Sequence, residues 1–128
     1  MDEKAMEHAG RLIAEGELVA FPTETVYGLG GDALHPEAAQ KIYAAKGRPS
    51  DNPLIVHIAD MEHLERITES IPEAAYTLAQ HFWPGPLTMI LPKSEEVPLQ
   101  TTGGLHTVAV RMPSHPVAMA FIEAAGGY

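Results

Sequence analysis

Apolar residues Ala5, Met6, Ala9, Leu12 and Ile13 recur at helical spacing until Gly16 interrupts them, which predicts a first helix over residues 3–15. The apolar run at 18–21 predicts a short buried strand that Pro22 ends. The polar, glycine-bearing stretch PTETVYGLGGD (22–32) is expected to be a loop. A second helix opens at Pro36, a residue suited to the first helical position, and buries Ala38, Ala39, Ile42 and Tyr43. Lys46 falls in its last turn and Gly47 is placed to cap it. Residues 54–58 predict another buried strand. Asp60 is placed to cap a short helix through Ile67, and Pro72 to open another running to Phe82. Two strands, 87–91 and 107–111, flank a polar segment at 93–104 expected to be an exposed loop, and a last helix covers 116–125.

This order predicts an α/β sheet covered by helices, and the two consecutive strands near the end favour a mixed sheet over a parallel one. The 128 residues suit a single domain, and 45% hydrophobic with 20% charged residues excludes a disordered chain. No cysteine is present, which excludes disulfides, a thiolate nucleophile and cysteine zinc sites. A net charge of −9 speaks against broad nucleic-acid binding through charge alone. No apolar run approaches a membrane span and the acidic N-terminus is not a signal peptide, so a cytoplasmic location is expected.

Familiar catalytic signatures are missing. There is no P-loop, no dinucleotide fingerprint, no nucleophile elbow and no HExxH pair. Four segments stand out instead. In PTETVYGLG (22–30) two threonines, a glutamate and a tyrosine follow a buried strand, where α/β proteins bind ligands. Its hydroxyls could hold a small polar substrate, or serve only as turn bonds. Lys46 and Arg48, followed by Asn52, could clamp a triphosphate, although a lysine there also complements the helix dipole. His57 sits in the strand LIVHI; it is either a satisfied core residue or, at a strand end facing a cleft, a ligand contact. Thr107, Ala109 and Arg111 share one strand face. Burying an arginine there requires an anion, either a substrate carboxylate or a glutamate of the same chain.

Together PTETVYGLG (22–30), KGRPSDNPL (46–54) with the VH at 56–57, FWPGPLT (82–88) and TVAVRMPSHP (107–116) resemble the YrdC domain family, in its order and over nearly the whole chain from Gly16. The resemblance implies a twisted mixed sheet, parallel and antiparallel, covered by helices, with a concave, positively lined face. It implies synthesis of threonylcarbamoyl-AMP and pyrophosphate from ATP, L-threonine and bicarbonate, with Mg2+ on the phosphates. Downstream proteins would then pass the threonylcarbamoyl group to tRNA. By resemblance Thr25, His57 and Arg111 bind threonine, and Lys46, Arg48, Asn52 and Thr107 hold ATP. An association with RNA, double-stranded RNA included, also comes with the family.

One departure stands out. The family's Ser-x-Asn segment, which follows the last helix, has no counterpart, so a single domain over 1–128 lacking its C-terminal segment is expected. A missing strand would leave a sheet edge that a dimer contact could cover. Two other readings remain: a carbamoyl-adenylate enzyme of the same superfamily, and a non-catalytic module binding RNA or nucleotide.

Overall fold

A computed structural model describes residues 3–22, 27–47 and 53–127. The elements run α1 (Glu3–Ala14), β1 (Val19–Pro22), β2 (Tyr27–Gly30), α2 (Pro36–Lys46), β3 (Ile55–His57), α3 (Met61–Ile67), α4 (Glu73–Phe82), β4 (Thr88–Pro92), β5 (Thr107–Arg111) and α5 (Pro116–Ala124). The helix ends follow the chemistry of their terminal residues. Pro36 opens α2, and Gly47 closes it in the left-handed conformation at φ 64°. Asp60 accepts a 2.9 Å bond from the Glu62 amide and so satisfies one of the unpaired donors at the start of α3.

Among the described residues the strands form two sheets. The first is the antiparallel pair β1–β2, and the second has the order β3-β5-β4, with β3 parallel and β4 antiparallel to β5. The sheet is therefore mixed, as the consecutive late strands imply. The stretch from Pro22 onward departs from the expected loop: Pro22 still pairs with Tyr27, and Tyr27–Gly30 is a strand. Two glycines in four residues conceal it from a reading based on β propensity.

One face of the three-stranded sheet carries the core. Val56, Met89, Leu91, Val108 and Val110 pack with Leu64 and Ile67 of α3 and with Ala75 and Ala79 of α4. The segment at 93–104, expected to be exposed, joins this core. Val97 is fully buried, and Thr101 and Thr102 are 2% and 1% exposed. Burial of these threonines is offset by hydrogen bonds: Thr101 Oγ1 donates to the Ala33 carbonyl at 2.8 Å, and Thr102 Oγ1 to the Leu105 carbonyl at 2.7 Å. The Leu54 amide donates to the Thr101 carbonyl, tying the start of β3 to the same segment.

A smaller cluster, Ala9, Ile13, Ala118 and Phe121, joins α1 to α5. The two helices approach so closely at Gly10 that a Cβ there would collide with the backbone carbonyl of Ala124. Two substitutions test these contacts. Alanine usually stabilises a helix interior by about 1 kcal/mol over glycine. Gly10→Ala should instead destabilise this chain, because the overlap costs about 1–3 kcal/mol; a urea midpoint at or above wild type would refute the close crossing. Thr101→Val keeps the shape but strands the Ala33 carbonyl, and should lower stability by about 1–3 kcal/mol in the same titration. A loss below roughly 0.5 kcal/mol, ordinary for a surface change, would mean that this bond does not anchor the segment.

Candidate functional site

The core-facing side chains of the three-stranded sheet alternate with a second set pointing the opposite way. Partners across both ladders lie on the same face. Arg111 is flanked by His57 of β3 and Thr88 of β4, and Ala109 by Ile55 and Ile90. Thr107 faces Pro92 at the far end. The second face thus has a polar row, His57–Arg111–Thr88, and an apolar row, Ile55–Ala109–Ile90. It is not covered as the core face is: Ile55 is 48% and Ile90 69% exposed. The polar row lies at the C-terminal ends of the parallel strands β3 and β5, the end at which open α/β sheets take ligands.

Backbone carbonyls lie against both side chains of the polar row that carry ring or guanidinium nitrogens. Arg111 Nε donates to the Gly85 carbonyl at 3.0 Å. His57 Nδ1 lies 3.2 Å from the Ile55 carbonyl. A carbonyl only accepts, so a hydrogen bond here requires the proton on Nδ1. The segment between α4 and β4 is itself pinned. Trp83 is buried and its Nε1 donates to the Leu87 carbonyl at 2.8 Å, while the Gly85 amide donates to the Met112 carbonyl at 2.8 Å. A half-buried guanidinium beside an imidazole and a hydroxyl can bind a small carboxylate or phosphate through paired, charge-assisted hydrogen bonds.

The structure brings His57 and Arg111 together, as two residues that sequence alone flags separately. Thr107 shares their face but stands four residues along β5 from Arg111, about 13 Å away. Lys46 is exposed on the last turn of α2. Thr25, Arg48 and Asn52 lie outside the described residues. Thr88, directly opposite Arg111, and Gly85, which holds Nε, have no assigned role in the sequence reading. The only signal for them is their place in PGPLT, immediately before and at the start of β4.

Comparison with known proteins agrees with this architecture. The Sua5/YciO/YrdC family, described as "Telomere recombination", matches residues 11–128. The threonylcarbamoyl-AMP synthase of Pyrococcus abyssi is 59% identical over 123 residues, covering 96% of this chain and 36% of that protein. The threonylcarbamoyl-AMP synthase of Bacillus subtilis is 56% identical over 126 residues, covering 98% and 36%. The crystal structure of P. abyssi Sua5 complexed with L-threonine superimposes with a TM-score of 0.95 at 57% identity, covering 99% of this chain and 37% of that one. The chain therefore spans a little over a third of the length of these relatives. On a family match that runs from α1 to the last residue, together with the shared mixed α/β fold, this chain belongs to the Sua5/YciO/YrdC family.

Proposed function

We propose that this chain carries the substrate-binding face of a threonylcarbamoyl-AMP synthase, a nucleotidyltransferase acting on ATP, L-threonine and bicarbonate. The observation that carries the reading is the pairing of His57 with Arg111 at the C-terminal end of an open sheet face. Its support from relatives is the 57% identical structure complexed with L-threonine. In this reading Arg111 pairs with the threonine carboxylate, and His57 and Thr25 line the same pocket. Lys46, Arg48, Asn52 and Thr107 bind the nucleotide. Arg111 and Thr107 stand about 13 Å apart along β5, and in this reading threonine lies at the Arg111 end while the nucleotide reaches Thr107.

The chemistry asks little of protein nucleophiles. The threonine nitrogen bonds to the carbon of CO2 derived from bicarbonate and releases a proton to solvent. A carbamate oxygen then attacks the α-phosphorus, the bond to the β-phosphate oxygen breaks, and pyrophosphate leaves. Holding the carbamate in line with that bond, and stabilising charge on the phosphoryl oxygens, are the tasks left to the chain. Mg2+ in this reading rides on the triphosphate and neutralises part of its charge. The product serves proteins that transfer the threonylcarbamoyl group to tRNA.

Mass spectrometry of the chain mixed with ATP, Mg2+, L-threonine and bicarbonate should reveal threonylcarbamoyl-AMP that vanishes when threonine or bicarbonate is omitted. Absence of both threonine binding and product would overturn the reading. Arg111→Ala should weaken threonine by about 2–3 kcal/mol, roughly 30- to 150-fold in Kd, because one charge-assisted pair is lost. ATP affinity should change by less than about twofold, since the carboxylate pair serves one ligand. Equal loss of both ligands would sink the assignment of Arg111.

A further inference from the structure

Residues 82–88 connect α4 to β4 and cross the end of the sheet where Arg111 stands. Gly85 brackets that arginine with both halves of its peptide unit. Its carbonyl accepts from Arg111 Nε at 3.0 Å, and its amide donates to the carbonyl of Met112, the next residue, at 2.8 Å. Two residues earlier, the Trp83 side chain is buried and clips the turn to itself through Nε1 and the Leu87 carbonyl. From this geometry we infer that the turn at 83–85 positions the Arg111 guanidinium, with Gly85 as the positioning residue. Its consequence for threonine rests on the reading of Arg111 given above; the geometric claim itself does not.

Three physical points support the assignment. The guanidinium is planar, so a fixed Nε–H vector restricts the orientation of the whole fork. Arginine also has many rotamers, and a ligand that must freeze them loses affinity; prior restraint removes part of that loss. A backbone carbonyl restrains the group without cancelling its charge, whereas a carboxylate in the same place would compete with an anionic ligand. The site also requires glycine. A Cβ at position 85 would lie 2.5 Å from the Phe82 carbonyl oxygen, a contact that backbone cannot relieve without moving. Any larger residue therefore displaces the carbonyl that holds Nε.

The test is Gly85→Ala, with Trp83→Phe as a second variant that removes the Nε1 donor and keeps an aromatic ring. The first readout is solvent exchange of the Arg111 Nε–H in 15N-labelled protein, its cross-peak assigned by loss in Arg111→Lys. Arg11, exposed on α1, is the internal reference. In the wild type the Arg111 proton should exchange about tenfold more slowly than that of Arg11. It should approach the Arg11 rate in Gly85→Ala and move part of the way in Trp83→Phe. The second readout is threonine Kd, expected to weaken about tenfold in Gly85→Ala and hardly further when that change is added to Arg111→Ala. A merely structural role would make the two losses add. Fast wild-type exchange, or exchange unmoved in both folded variants, overturns the inference. If Gly85→Ala does not fold, Trp83→Phe decides alone. Protection that responds to Gly85, with threonine affinity indifferent to Arg111→Ala, would reject the threonine reading and leave the positioning role standing.

Discussion

Strand β5 is hydrogen-bonded along both edges, parallel to β3 on one side and antiparallel to β4 on the other. Its alternation does two jobs at once. Val108 and Val110 are fully buried against α3, α4 and the segment after β4, and burying each aliphatic side chain contributes on the order of 1.5–3 kcal/mol. That burial fixes the register, because a slip of one residue would turn both valines out and turn Arg111 into the core. The same register sets Arg111 beside His57 and Thr88. The core and the candidate site are thus opposite faces of one constraint.

What the chain reveals in its sequence follows from this. TVAVR declares its two faces because the valines alternate, and Pro36, Gly47 and Asp60 mark helix ends through local chemistry that neighbours in sequence supply. Strand β2 is not legible, since YGLG holds half its positions as glycine and exists by pairing with β1. The burial of Thr101 and Thr102 is hidden for a related reason. Both are polar, and both are made tolerable inside by carbonyls that only the folded chain brings to them, one of which belongs to Ala33.

The site divides in the same way. His57 and Arg111 each attract notice alone, one as a histidine in an apolar strand and the other as an arginine on a strand face. Their adjacency depends on parallel pairing between strands far apart in sequence, which no local pattern encodes. Gly85 is less visible still, because it acts through its backbone. Its only side-chain signature is the lack of a side chain where the Phe82 carbonyl leaves no room for one.

The charge of the chain sets a further condition on the site. Seventeen acidic residues face eight lysines and arginines, yet every substrate in the proposed reaction is an anion or carries a carboxylate. The conflict is resolved by placement. The three strands of the larger sheet contain no aspartate or glutamate, so the face with Arg111 and His57 carries no acidic side chain of its own. Screening at physiological salt limits exposed charges to about 8 Å, so an amino acid or nucleotide lying on that face responds mainly to the groups beside it. A contact at about 4 Å near the surface is worth on the order of 4 kcal/mol before desolvation. In this otherwise acidic chain, the strand face with Arg111 thus presents a cation to the proposed anionic substrates with no carboxylate on the same strands.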